Sequence, residues 1–255
     1  MQAGLKYTRK DKIKRKATSI LLAVFWCFAS LAEADERLSL SNDTAFLSRY
    51  VWRGMLLSDC WVFQPSVALD YKRLFISVWG NMDLGETNDK DFCFSELDYM
   101  LNYFFTADCC SFSLGGVRYT YPNTLDRATT EIYLNLEADL LLNPVITVYK
   151  DVDEAKGTYV SLGLGHSLPV KRWNSSLVLA FSVGIGTDNH NRYYYEVGKD
   201  ALLDLLLNVL MHFEIREGTR ISPGFSYTKI LDNDIRSFLD KKDNIIFGLT
   251  FSTAF

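Results

Sequence analysis

The chain has 255 residues, 48% of them apolar, 23% charged and 14% aromatic, a balance that suits one large all-β domain. Seven of its 27 basic residues lie in the first 34 positions, so residues 35–255 carry 20 basic against 29 acidic side chains, a net of −9. That acidity excludes a basic nucleic-acid face, and no nucleic-acid partner is expected.

Residues 1–34 read as a cleaved signal peptide. Lys6, Arg9, Lys10, Lys12, Lys14, Arg15 and Lys16 precede the apolar run Ile20 to Leu31, and Ala32-Glu33-Ala34 offers small residues for cleavage. Twelve apolar residues fall short of the ~20 that a spanning helix needs. No later stretch is long and apolar enough either, so any further membrane crossing is by strands.

From Arg37 onward the chain shows period-2 segments of about ten residues separated by turn-like stretches, the pattern of a barrel whose two faces meet different solvents. The predicted strands are 38–53, 61–71, 74–83, 94–105, 111–121, 129–141, 145–151, 157–168, 176–187, 201–215, 219–230 and 244–255. In the second, Trp61, Phe63, Val67, Leu69 and Tyr71 alternate with Gln64, Ser66, Ala68 and Asp70. In the fourth, Leu97, Tyr99, Leu101, Tyr103 and Phe105 alternate with Glu96, Asp98 and Asn102.

Residues 201–215 fit two periods, because Asp204, Asn208 and His212 recur every four residues as on a helix. The outer row Leu203, Leu205, Leu207, Val209, Met211, Phe213 and Ile215 favours a strand. The connections alternate in length. Gly54 to Cys60, Leu84 to Cys93, Pro122 to Ala128, Val152 to Lys156, Thr187 to Asp200 and Leu231 to Asp243 form a longer, charged set, and short turns lie between them. This sorting predicts external loops at one end, periplasmic turns at the other and both termini in the periplasm.

The last segment places Ile245, Phe247, Leu249, Phe251, Thr253 and Phe255 on one face. A closing aromatic on an alternating strand resembles the C-terminal signal of outer-membrane barrels, with Phe251 and Phe255 as its carriers. It makes the barrel-assembly machinery an expected partner, beside outer-membrane lipid and small solutes.

The run Phe46-Leu47-Ser48-Arg49-Tyr50-Val51-Trp52-Arg53-Gly54, followed by Ser58-Asp59 and Gln64-Pro65-Ser66-Val67, resembles the TorF family of porin-like proteins. Ser77-Val78-Trp79-Gly80-Asn81, Glu96-Leu97-Asp98, Tyr119-Thr120-Tyr121-Pro122, Lys156-Gly157-Thr158-Tyr159 and Phe247-Gly248-Leu249-Thr250-Phe251 continue the resemblance in order. It implies an outer-membrane up-and-down barrel and a pore, with no catalytic residues to transfer. Cys93, Cys109 and Cys110 depart from the pattern.

On this parity the lumen gathers Asp70, Glu96, Asp98, Glu131, Glu137, Asp139, Asp204 and Glu214, opposed by Arg49, Arg53 and Arg118. These are the pore-lining candidates of a passive, cation-preferring channel. The alternatives are a closed structural or surface-interaction barrel, and a lipid-modifying enzyme of the outer membrane. His166, His190 and His212 are too scattered for a metal site, and adjacent His166 and Ser167 point to opposite faces. No enzyme, metal or cofactor is therefore expected. Cys60 and Cys93 close the first two external loops and are the candidate disulfide, with free thiols as the alternative. The loop Thr187 to Asp200, with His190 and Tyr193-Tyr194-Tyr195, is a candidate gate or ligand contact.

Overall fold

A computed structural model describes residues 38–85, 92–107 and 109–255, so the expected signal peptide lies outside the described residues. Twelve strands close one antiparallel barrel. They are β1 (Leu38–Leu47), β4 (Val62–Tyr71), β5 (Leu74–Asp83), β6 (Phe94–Ala107), β7 (Cys110–Thr120) and β8 (Thr129–Ala138). The remaining six are β9 (Val145–Asp151), β10 (Thr158–Val170), β11 (Ser175–Gly186), β12 (Ala201–Arg216), β13 (Thr219–Ile230) and β14 (Asp243–Ala254). Each pairs with its sequence neighbour in the barrel, and β1 closes the ring by pairing with both β14 and β4. Closure gives every wall strand a hydrogen-bonded neighbour on both sides, so the sheet has no open edge strand.

The alternation places the two faces as expected. Tyr99, Leu101 and Tyr103 of β6, Ile132 and Leu134 of β8, and Ile245 and Phe247 of β14 are exposed on the outside. Glu96, Asn102, Glu131, Tyr133 and Asn244 are buried within. The long connections share one end of the barrel. The turns Lys72-Arg73 and Glu217-Gly218 lie at the other, where β1 begins and β14 ends. Phe255 closes the seam: its N–H donates to Leu40 O at 2.9 Å, and Leu40 N–H donates to Phe255 O at 3.3 Å.

Three features depart from the sequence reading. The segment 38–53 is not one strand, because β1 stops at Leu47 and a separate hairpin follows, β2 (Tyr50–Trp52) and β3 (Met55–Ser58). Its turn is Arg53-Gly54, both at positive φ (47° and 83°), the geometry of a tight two-residue hairpin loop. Gly54 is also required sterically, since a Cβ there would sit 2.5 Å from Ile230 Cδ1.

The region 201–215 is a strand, but its register shifts opposite Gly184 and Ile185. Leu203 is the extra residue of this bulge and is fully buried, instead of joining the outer row. Finally, two loops contain short helices, α1 (Asp188–Tyr195) and α2 (Asn233–Phe238). Asp188 and Arg192 pair one turn apart in α1, and the Asp232 carboxylate caps α2 by accepting from the backbone N–H groups of Asp234 and Ile235. Beneath them Tyr159, Tyr195, Ala201, Leu203, Ile230 and Ile235 form a buried apolar cluster that anchors both helices to the barrel mouth.

Candidate functional site

The β2–β3 hairpin leaves the wall between β1 and β4 and crosses the lumen. In the ring order its tip meets β8, β9, β10 and β12, on the opposite side. There the Arg53 guanidinium makes a two-pronged ion pair with Glu131 of β8, Nη1 to Oε1 at 2.8 Å and Nη2 to Oε2 at 2.7 Å. Only 7% of the arginine side chain and 1% of the glutamate remain exposed. Tyr119 OH donates to the same Oε2 at 2.9 Å, and Tyr195 OH of α1 donates to Arg53 O at 2.7 Å.

Aromatic rings enclose the cation. Arg53 Cζ lies 4.1 Å from the Tyr159 ring centre, 4.3 Å from Trp52 and 4.9 Å from Tyr149, within range of cation–π attraction. Below the tip, Tyr159 OH donates to Asp204 Oδ1 at 3.0 Å. A cavity of about 270 Å³ opens between the hairpin and the far wall, lined by Arg53, Tyr149, Tyr159, Ser161, Ser182, Asp204 and Thr228 among others.

His190 completes the cluster from α1. Its Nε2 lies 3.1 Å from Arg53 Nη1 and its Nδ1 lies 3.0 Å from Asn191 Oδ1. The Asn191 amide nitrogen donates to Gly186 O and Lys199 O, so its oxygen faces the ring. This fixes the neutral tautomer: Nδ1–H donates to Asn191, and Nε2 accepts from Arg53. Burial, followed by the Arg53 charge, lowers the His190 pKa to about 4 from 6.5.

Between these values the unfolded histidine binds a proton that the folded one does not, so stability rises with pH across that window. We expect the unfolding free energy of the refolded barrel, read from urea denaturation, to fall by up to about 3 kcal/mol as pH drops from about 6.5 to about 4. The slope should flatten in His190→Asn. An equal slope in both proteins would remove His190 from the account.

A second polar cluster lies nearer the hairpin base. Tyr50 OH donates to Glu96 Oε2 at 2.9 Å, and Gln64, Asn81 and Ser95 form a chain of hydrogen bonds beside it. A smaller cavity of about 120 Å³ opens there, walled in part by Asp83, Glu96 and Asp126. Two positions along β6 from Glu96 on the same face, Asp98 has a buried Oδ1 without a hydrogen-bond partner among the described residues.

Of the residues singled out from the sequence, Arg53, Glu96, Asp98, Glu131 and Asp204 come together around the hairpin. Asp70 and Glu137 keep their inward parity, but they lie toward the short-turn end. Glu214 lies there too, across from Arg220. Three expectations are corrected. Arg118 faces outward, because its neighbours Val117 and Tyr119 are the buried pair, and it bonds Thr130 and Asp153 at the rim. Arg49 pairs with Asp59 at 2.7 Å at the mouth, and Lys241 holds the same carboxylate. Asp139 lies past the end of β8, in an exposed turn.

Phe251 and Phe255 are exposed on the outer face. Cys60 has its Sγ 3.1 Å from Ser58 Oγ, and Cys93 immediately precedes β6. Cys109 and Cys110 bring their sulfurs within 3.8 Å at the start of β7. His190 and Tyr195 were visible in sequence only as members of a polar, aromatic loop. A further pair, His212 Nδ1 and Ser222 Oγ at 2.7 Å, joins neighbouring strands inside the lumen, whereas His166 and Ser167 occupy opposite faces of β10.

No family model matches the chain, and no curated protein sequence matches it. Solved structures do. The NanC porin superposes with a TM-score of 0.54 at 10% identity, covering 83% of this chain and 98% of its own. The KdgM porin gives 0.55 at 10% identity over 84% and 99%. The KdgM porin in complex with disordered oligogalacturonate gives 0.54 at 8% identity over 85% and 99%. At these identities the likeness is one of fold, a closed twelve-stranded barrel of the porin type.

Proposed function

We propose that the chain is a porin-like barrel of the bacterial outer membrane, exported by a cleaved signal peptide and assembled through its C-terminal strand, with Phe251 and Phe255 facing lipid. It passes small solutes by diffusion, prefers cations, catalyses no reaction and belongs with the TorF proteins it resembles. The apolar outer wall and the porin-type fold support the membrane reading. The sign of the lumen is carried by one observation: Glu96, Asp98 and Asp204 surround the hairpin, while the Arg53 charge among them is neutralised by Glu131. An acidic, confined lumen concentrates cations and repels anions. On this reading, a polyanion such as the oligogalacturonate named with the KdgM porin is a poor solute for this barrel.

The test is the reversal potential of the refolded protein in a planar bilayer under a salt gradient. We expect small, cation-selective currents, with selectivity reduced several-fold, roughly threefold or more, in Glu96→Gln with Asp98→Asn. Anion preference, or selectivity unchanged in that variant, contradicts the proposal. A second reading, a closed surface barrel, draws support from the hairpin across the lumen, and predicts silent bilayers even when the hairpin is removed.

A further inference from the structure

Arg53 is held as a bound ligand would be. Its partners belong to the barrel wall and to α1: the Glu131 carboxylate, the Tyr119 hydroxyl that orients it, the faces of Tyr149 and Tyr159, and the His190 nitrogen. Among the described residues, only Trp52 comes from the hairpin itself. The receptor is therefore built independently of the arginine that fills it. Both glutamate oxygens are aligned with the two guanidinium nitrogens, a fork geometry that an ammonium ion cannot reproduce. Beside it the 270 Å³ cavity, with Asp204, Ser161, Ser182 and Thr228 on its walls, leaves room for the rest of a small solute.

We propose that the cage of Glu131, Tyr119, Tyr149, Tyr159 and His190 is a binding site for guanidinium-bearing solutes, which Arg53 occupies from within as a tethered competitor. Withdrawing Arg53 leaves a buried carboxylate without its counter-charge, a costly state that a small planar cation relieves. A tether of this kind acts as a local ligand concentration in about the millimolar range or above. A free guanidino compound must exceed that to displace the hairpin. The site goes beyond the porin reading, and binding is measurable whether or not the barrel conducts.

The experiment uses refolded residues 35–255, with heat-modifiable gel mobility confirming a folded barrel. Arg53→Ala is titrated with methylguanidinium chloride, and with methylammonium chloride at equal ionic strength, while following tryptophan fluorescence, which reports through Trp52. We expect saturable binding of methylguanidinium at least about tenfold tighter than methylammonium, and weakened about tenfold or more in wild type by the tethered arginine. Arg53→Ala with Glu131→Gln should lose it. No saturable response in folded Arg53→Ala, equal response to both cations, or a response that survives Glu131→Gln overturns the proposal. Should Arg53→Ala not fold, wild type decides. Methylguanidinium, at concentrations up to about 100 mM, should speed amide exchange in residues 50–58 above a sodium chloride control, and unchanged exchange overturns it.

Discussion

Deleting residues 50–58 and joining Arg49 to Asp59 through a short glycine-serine turn is expected to raise the single-channel conductance at least about threefold. The hairpin crosses the lumen from between β1 and β4 to the Glu131 wall, and it supplies no part of the barrel ladder. β1 and β4 pair with each other directly over ten residues, from Leu38 with Tyr71 to Leu47 with Val62. The barrel should therefore close without it. The deletion also removes Arg53 and leaves Glu131 facing water in the lumen, so cation selectivity should rise with conductance. Planar-bilayer recording checks both. Unchanged conductance would mean that the passage runs elsewhere, and silence in the folded deletion would favour the closed-barrel reading.

Glu131→Ala is expected to release the hairpin from the wall. Removing one partner of a buried ion pair costs about 3–5 kcal/mol, because the remaining charge keeps its desolvation penalty. Here the chain can escape that penalty by withdrawing Arg53 toward the mouth. The docked population should then fall by about a hundredfold or more, visible as protease cleavage within residues 50–58 under native conditions. Replacing both partners by apolar residues of similar size, Arg53→Met with Glu131→Leu, removes both charges and should restore much of the docking. Cleavage as slow in Glu131→Ala as in wild type would show that the ion pair does not hold the hairpin.

The barrel itself was legible because its wall separates two solvents. Each strand repeats with period 2, and the longer loops gather at one end, so all twelve wall strands fall near their expected positions. The hairpin was not legible. Tyr50-Val51-Trp52 extends the alternation of β1, and the turn that ends it needs positive φ at an arginine, which composition does not announce. Its inward course depends on Glu131, Tyr159 and Tyr195, far off in sequence. Parity also misled locally. It puts Arg118 inward, whereas Val117 and Tyr119 fill that face and the arginine reaches Asp153 at the rim. Helix α2 was not legible either: residues 231–243 read only as a long charged loop, and the Asp232 cap emerges with the structure.

The central claim, that the first long loop is a hairpin docked inside the barrel by Arg53, is tested most directly by amide hydrogen exchange on the refolded protein. Amides of the β2–β3 hairpin should exchange at least about a hundredfold more slowly than those of the exposed loop 121–128, and should lose that protection in Glu131→Ala. Exchange in residues 50–58 as fast as in loop 121–128 of the wild-type protein would contradict it.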